Sequence, residues 1–263
     1  MIEWRNKKIN IVLIIIVLIA LGALYYKFNR PSGTDSQIKT NKNTLQFFPA
    51  DLLINKESLT AKPTWYKEIN AEYPVGDMVG VKDIENFVRK EGDQLWCAND
   101  EENLTEQQTK DQGLFEIYKC SLSIKYSYSN SKNLLTHKLG EYGMYGGTHG
   151  IYSAVTFTYD VNGNSLTLSD LAANKDTYRK TISNKLKEGF MQLQKSNSNY
   201  SFDYVLDEIT KEDTIDSLAF MATSDGLVFL FSETNGLSYG LGEIEVKIPF
   251  TDLIGVLQNK YLN

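Results

Sequence analysis

The chain has 263 residues, of which 42% are apolar and 23% are charged, with 18 glycines, 5 prolines and 2 cysteines. This composition excludes collagen-like, low-complexity and disulfide-scaffold proteins and is typical of a globular protein of one or two domains. The net charge of −6 argues against a nucleic-acid-binding protein, because a basic surface normally dominates the charge of that class.

Charge is distributed unevenly along the chain. The first 42 residues carry seven basic and two acidic side chains, whereas the rest of the chain carries 20 basic and 31 acidic ones. A basic head is therefore joined to an acidic body, and the two parts have to be interpreted separately.

The basic head contains an 18-residue run, residues 9–26, whose only clearly polar member is Asn10 and which ends in two tyrosines. As an α-helix this run spans about 27 Å, just enough to cross the hydrocarbon core of a bilayer. We therefore predict one transmembrane helix, with residues 1–8 as a short cytoplasmic head and residues 27–43 as a flexible linker. A cleavable signal peptide is the alternative, because residues 20–23 offer small side chains near the end of the run.

The only two cysteines, Cys97 and Cys120, lie in the acidic body. Exported domains keep disulfides, and the basic residues before the apolar run weakly favour an N-terminus inside the cell. We therefore predict a Cys97–Cys120 disulfide and a domain on the outer face of the membrane. Two unrelated reduced thiols are the alternative.

The body shows both strand and helix periodicity. Alternating apolar residues predict strands at residues 65–73, 114–128, 134–145, 151–159, 218–222, 227–231 and 244–248. Helical spacing predicts amphipathic helices at residues 81–95, 178–193 and 251–261, the last one capped by Thr251, while residues 99–112 are expected to form a loop. Turn residues at 160–164 and 224–226 predict antiparallel neighbours. The fold class is therefore α+β, an antiparallel sheet packed with about three helices.

The most unusual local sequence is Tyr145 to Gly150, which contains His149. A phosphate-binding loop would need a helix and a lysine after the glycines, whereas a strand follows here. A metal site would need more ligands than this histidine offers, so we expect no metal and no cofactor. The glycines Gly146, Gly147 and Gly150 are expected to form a tight turn that requires a positive φ.

A second string, Gly236 to Gly240, spells a nucleophile elbow around Ser238. A strand follows it, and no histidine comes after Ser238, so the usual order of a catalytic triad is impossible. The chain also has 16 tyrosines, some of which suit recognition surfaces. Our candidate binding residues are the tyrosines near the two glycine-containing loops and the nearby histidine: Tyr142, Tyr145, His149 and Tyr239.

Several blocks resemble a known pattern when taken in order. They are Glu141-Tyr142, Gly146 to Gly150, Thr156 to Asp160, Gly163, Leu166 to Leu171, Asp225 to Phe231 and Gly242 to Phe250, with Trp65 to Pro74 as an opening block. These blocks resemble an extracytoplasmic domain of unknown function that is shared by RsiV-type anti-sigma factors and PdaC-type peptidoglycan deacetylases. Thr148 and Ala172 depart from the pattern, which has alanine and phenylalanine at those positions.

The resemblance implies an α+β domain on the outer face of a bacterial cell membrane, with a PdaC-like half at residues 44–145 and an RsiV-like half at residues 146–263. In the anti-sigma members this domain binds lysozyme, and in the deacetylases a separate domain does the chemistry. Because only eight residues precede the apolar run, we expect no sigma-binding segment, and we expect no deacetylase domain after residue 263.

The function we expect is a membrane-anchored binding or sensor module rather than an enzyme. Its ligand would be a cell-wall component, such as a peptidoglycan fragment, or a cationic wall-degrading protein such as lysozyme, and its partners would include no nucleic acid. The alternatives are a small envelope hydrolase that uses His149 with a carboxylate, and a purely structural envelope protein.

Overall fold

A computed structural model describes most of the acidic body. The described residues are 53–58, 65–95, 97, 99–131, 133–145, 149–175, 177–196, 201–238 and 241–262. All of them belong to one compact unit, Leu45–Asn263. The predicted head, anchor and linker, residues 1–43, lie outside the described residues. No helix in the described part is long and apolar enough to cross a membrane.

Six strands form the first sheet, in the order β1-β2-β3-β4-β5-β6. Their bounds are Leu53–Ser58, Lys67–Val75, Cys120–Asn130, Leu134–Tyr145, Ile151–Asp160 and Ser165–Leu166. The predicted antiparallel pairing is wrong at one place, because β2 and β3 are parallel. The chain between these two strands is long and helical, which is the kind of connection that parallel neighbours need. β5 and β6 come after residue 145 but complete the same sheet as β1–β4.

Helix α1 covers one face of this sheet. It spans Val81–Gln94, as its apolar spacing predicts, and its buried residues Ile84 and Val88 pack against the inward-facing side chains of β2 and β3. Residues 99–112, predicted as a loop, contain helices α2 (Asn99–Glu102) and α3 (Glu106–Asp111) instead. A third short helix, α4 (Phe115–Tyr118), replaces the start of the predicted strand. The described part of the chain therefore contains more helices than the three that the sequence predicts.

Three strands form the second sheet, in the order β7-β8-β9, with bounds Ala219–Ala222, Gly226–Phe231 and Ile244–Pro249. The hairpin predicted at residues 224–226 joins β7 to β8. Helix α6, Tyr178–Ser196, packs on β9 through an apolar stripe that includes Ile182, Leu186 and Phe190. Three short helices complete this part of the fold: α5 (Leu168–Leu171), α7 (Asp203–Glu208) and α8 (Glu212–Ser217).

The two sheets meet where β7 crosses β4 and β5. The backbone amide of Ala222 donates to Oγ1 of Thr136 at 3.1 Å, and that of Phe220 donates to Oγ1 of Thr156 at 3.2 Å. Thr136 also pairs across the strands with the hydroxyl of Thr158 at 3.2 Å. β7 is an edge strand, so these hydroxyls satisfy backbone donors that would otherwise be buried without acceptors.

The predicted C-terminal helix with Thr251 as its cap is wrong. Two 3-10 turns, Phe250–Leu253 and Asn259–Tyr261, take its place. Gly255 between them has φ 77°, a left-handed conformation that ends a right-handed helix. Leu253, Leu257 and Tyr261 are nevertheless buried, as the helical spacing implied. This segment lies against α5, where the backbone amide of Gln258 donates a hydrogen bond to the carbonyl oxygen of Leu171 at 2.8 Å.

The predicted disulfide is confirmed. Cys97, just beyond the end of α1, is bonded to Cys120, the first residue of β3, with their Cα atoms 6.0 Å apart. Both cysteines are fully buried in the core between α1 and the first sheet. The bond closes a loop that contains α2, α3 and α4, all of which are short helices with little capacity to hold themselves in place.

Replacing both cysteines with alanine should lower the free energy of unfolding by about 3 kcal/mol. Without the bond, the unfolded chain is no longer closed into a loop between residues 23 positions apart, so its conformational entropy rises. Urea denaturation of the full chain measures this loss. A reductant should destabilise the wild-type chain and leave the Cys97→Ala/Cys120→Ala variant unchanged. Equal midpoints for the variant and the oxidised wild type would contradict the expectation.

Thr136→Val should lower the free energy of unfolding by about 1–3 kcal/mol, because the buried amide of Ala222 then has no acceptor. Thr158→Val is the matched control, since it removes a hydroxyl from the same interface but leaves Thr136 to accept from Ala222. Chemical denaturation of both variants should show the larger loss for Thr136→Val. Losses of equal size would mean that the backbone hydrogen bond contributes nothing distinct.

Candidate functional site

The predicted tyrosines lie at the end of the first sheet where β4 stops and β5 starts. Tyr142 of β4 is paired with Tyr152 of β5, and their ring centroids are 4.6 Å apart with planes tilted by 44°. Gly150 lies directly against this pair, since a Cβ at that position would collide with the ring of Tyr142. The φ of Gly150 is not in the left-handed region, so close approach, rather than the positive φ expected from the sequence, is the reason for glycine here.

Tyr145, three residues further along β4, lies on the opposite face of the sheet. Its ring lies over Gly143 of its own strand and packs on the core beneath α1. Burial, together with the nearby carboxyl groups of Glu141 and Glu91, raises the pKa of Tyr145 to about 12. Tyr142 and Tyr145 therefore belong to two different surfaces, because successive side chains of a strand alternate between faces.

Glu141 is the most perturbed acid on the α1 side of the sheet. The hydroxyl of Ser153 donates to its Oε2 at 2.7 Å, while its Oε1 is buried without a hydrogen-bond partner within the described part of the chain. Burial, supported by the nearby carboxyl group of Glu91 in α1, outweighs the hydrogen bond from Ser153 and raises the pKa of Glu141 to about 7. Sequence reasoning missed this residue as a site. The available signal was an acid on the face of β4 that otherwise carries Leu135, His137 and Leu139.

The other predicted residues are not gathered around one centre. His149 is exposed and precedes Gly150 in the chain, and Ser238 is also exposed. Gly146, Gly147 and Tyr239 lie outside the described residues, so their predicted roles stay predictions. Within the described ranges, no three His, Cys, Asp or Glu side chains come together in a way that could hold a metal ion.

A carboxylate lies beside the tyrosine pair. Glu233, in the 3-10 turn Glu233–Asn235, accepts the backbone amide of Tyr152 at 2.9 Å through Oε2. This turn is held by a capping box: the side chain of Ser232 accepts the backbone amide of Asn235, and the side chain of Asn235 accepts the backbone amide of Ser232. The negative charge of Glu233 is therefore fixed next to a partly exposed aromatic surface.

Two further acids, Glu243 and Glu245, lie on the same face. Lys138 lies on β4, four positions before Tyr142. Its ammonium group forms an ion pair with Glu243 and lies 3.9 Å from the carboxylate of Glu245. The side chain of Lys138 is only 14% exposed, whereas that of Glu245 is 58% exposed. The positive charge on this face is thus largely neutralised by Glu243, and Glu245 remains accessible to solvent.

His137 is a core residue rather than a ligand. Its ring is fully buried between β3 and β5 and makes an edge-on contact with Tyr159. Nε2 donates to the carbonyl oxygen of Val79 at 2.9 Å, so Nδ1 accepts the hydroxyl proton of Tyr126 at 2.8 Å. Burial lowers the pKa of His137 to about 4, which keeps the imidazole neutral.

Comparison with known proteins identifies part of this architecture. The family model described as a protein of unknown function, DUF3298, matches residues 169–251, so a DUF3298 domain is present there. This range begins in α5 and ends just after β9, and it therefore includes α6 and the whole second sheet. No curated protein matches the chain.

Two solved structures are similar to most of the chain. A DUF3298-family protein from Pseudomonas aeruginosa is 14% identical with a TM-score of 0.51, and the match covers 81% of this chain and 95% of that one. A member of the DUF3298 family from Bacteroides fragilis is 21% identical with a TM-score of 0.49, covering 80% of this chain and 93% of that one. At such low identity the likeness to the Pseudomonas protein concerns the mixed α+β fold alone.

His137 and Glu141 should give the stability of the protein two opposing dependences on pH. The pKa of His137 falls from 6.5 to about 4 on folding, so the unfolded state binds more protons and stability rises with pH across that window. The pKa of Glu141 rises from 4.5 to about 7, so the folded state binds more protons and stability falls as pH increases. Each effect amounts to about 3 kcal/mol.

Single variants should separate the two slopes. In the wild-type chain Glu141 lowers the stability as pH rises from 4.5 to 7, and this decrease should be absent in Glu141→Gln. His137 raises the stability as pH rises from 4 to 6.5, and this increase should be absent in His137→Gln. Urea midpoints measured at half-unit steps of pH test both. Wild-type-like pH profiles for the two variants would show that the pKa values of the two groups do not change on folding.

Proposed function

We propose that this chain is a membrane-anchored binding module on the outer face of a bacterial cell, related to the extracytoplasmic domain of RsiV-type and PdaC-type proteins. It would recognise a cell-wall component or a cationic wall-degrading protein such as lysozyme, without catalysing a reaction. The observation that carries the proposal is the Tyr142–Tyr152 pair, which stands partly exposed at the end of the sheet beside the carboxylate of Glu233.

The tyrosine pair has the properties of a recognition surface. Tyr152 is 42% exposed and its neighbour Ile151 is 40% exposed, although both lie in a regular strand. A tyrosine ring offers an apolar face together with a polar hydroxyl, and tyrosine is enriched in protein interfaces. The ring of Tyr142 packs against both Tyr152 and Gly150, so a ligand would meet a surface that is already ordered.

The charge of the body supports a cationic ligand. After residue 42 the chain carries 31 acidic and 20 basic side chains. Glu233 and Glu245 add negative charge to the face that bears the tyrosine pair, while the one lysine on β4 near them, Lys138, is already paired. A net negative surface raises the rate at which a basic protein arrives.

The location of the module outside the cell rests on two features. The apolar run at residues 9–26 has the length and composition of a membrane anchor. The Cys97–Cys120 disulfide is of the kind that persists in oxidising compartments. The DUF3298 domain at residues 169–251 is compatible with the resemblance to the RsiV-like half, which includes the blocks at residues 225–231 and 242–250.

Tyr152→Ala should weaken the binding of lysozyme or of muropeptides at least about tenfold, because an exposed aromatic residue at the centre of an interface commonly contributes this much. The measurement is surface plasmon resonance on the full chain in detergent micelles. Tyr128→Ala is the matched control, since Tyr128 is also a strand tyrosine with 43% exposure but lies far along β3 from this end. Equal effects of both substitutions would contradict a site at Tyr152.

Salt distinguishes the two ligand classes. The Debye length shrinks from about 30 Å at 0.01 M salt to about 8 Å at physiological salt, so association with a basic protein should slow markedly while dissociation changes little. Binding of a neutral glycan should be almost independent of salt. If neither lysozyme nor muropeptides give a saturable signal at low salt, the proposed function is wrong.

A further inference from the structure

The outer side of β5 is covered by another strand only at its end. β6 pairs with Thr158 and Tyr159 through Leu166 and Ser165, and the pairing extends no further. Within the described part of the chain, no strand lies beside β5 from Ile151 to Phe157 on this side. The first sheet therefore ends in an open stretch of strand.

The hydrogen bonds at the two ends of this stretch show which of its backbone groups point away from β4. Thr158 pairs outward with β6, and the amide of Tyr152 donates outward to Glu233. Backbone groups in an antiparallel strand alternate between the two sides, so Ala154 and Thr156 also present their amides and carbonyls outward. Among the described residues neither has a backbone partner there. Because Glu233 already accepts the amide of Tyr152, we call the outward backbone groups of Ala154 and Thr156 the β5 edge.

Two carboxyl groups lie near the β5 edge. Glu233 lies at its start, because its Oε2 accepts the outward amide of Tyr152. On the face of α1, Ser153 donates to the largely buried carboxyl group of Glu141. A strand added here would meet the carboxylate of Glu233 at one end.

We propose that the β5 edge receives an extended, basic segment of a protein partner as a further strand of the first sheet. This inference rests on the proposed function and makes it more specific, because it names a protein rather than a glycan as the partner and strand addition as the mode. Exposed sheet edges bind extended peptides through main-chain hydrogen bonds, while alternate side chains give specificity.

The charge around the edge selects this occupant. A second copy of this chain would bring Glu233 and the net negative body against the same groups, which repel. A basic segment would instead bring its cations next to the carboxylate of Glu233 at the start of the edge and into the field of the net negative body. With basic residues at every second position, its cations would share one face of the added strand. The outward groups of Ala154 and Thr156 would supply the main-chain hydrogen bonds.

The probe is a synthetic eight-residue peptide of alternating lysine and threonine, titrated into the full chain in detergent micelles, with a glutamate–threonine peptide for comparison. Saturable binding of the lysine peptide alone is expected. Amide hydrogen exchange measured by NMR should slow at least tenfold at Ala154 and Thr156. Ser153 and Val155, whose amides face β4, are the internal control and should not change.

Ala154→Pro removes one outward amide without changing the charge and should weaken peptide binding about tenfold or more. Ala154→Ser keeps the amide and should bind as the wild-type chain does. If Ala154→Pro does not fold, the exchange pattern of the wild-type chain decides alone. Unchanged binding by a folded Ala154→Pro variant, or no protection of Ala154 and Thr156 in the complex, overturns the inference.

Two further outcomes also overturn it. If the two amides are already protected in the free chain, the edge is occupied by a segment of the same chain, or by a second copy where protection depends on concentration. If lysozyme binds but the lysine peptide does not, the β5 edge is not the site, and the proposed function stands. Peptide binding at the edge without binding of lysozyme or muropeptides would instead count against the proposed function alone.

Discussion

The contact between the two sheets depends on a small set of hydrogen bonds. β7 is an edge strand, and it meets the first sheet with backbone amides that point into a buried interface. Thr136 and Thr156 supply the acceptors for Ala222 and Phe220. Because a buried amide without an acceptor is costly, these two hydroxyls determine where along β4 and β5 the second sheet can lie.

This placement divides the surfaces of β4 and β5. The second sheet covers the part of one face that contains Thr136 and Thr158, while the end of the same face, with Tyr142 and Tyr152, remains partly exposed. On the other face α1 and its core bury His137 completely and Glu141 in large part. A binding surface and a perturbed acid thus arise on the two sides of one strand pair.

The local elements were largely predictable from the sequence. The alternation at residues 134–145 and the spacing at residues 81–95 predicted β4 and α1 almost to the residue. The C-terminal segment shows the limit, because Leu253, Leu257 and Tyr261 are spaced as in a helix and are buried, yet Gly255 interrupts the chain. A chain that is not helical can also bury side chains four residues apart, as this segment does with its two 3-10 turns. Only the backbone conformation distinguishes such a segment from a helix.

The sequence by itself determined which residues form most strands, which side of each strand is apolar and which two cysteines can pair, since these properties depend on residues close together or on there being only two candidates. The tertiary structure alone decided that β2 and β3 are parallel, that the strands divide into two sheets, and that Tyr142 has Tyr152 and Glu233 as neighbours. A period of two specifies the face of a side chain but not the strand beside it. That choice depends on contacts between residues far apart in the chain, such as Thr136 with Ala222, which no local pattern encodes.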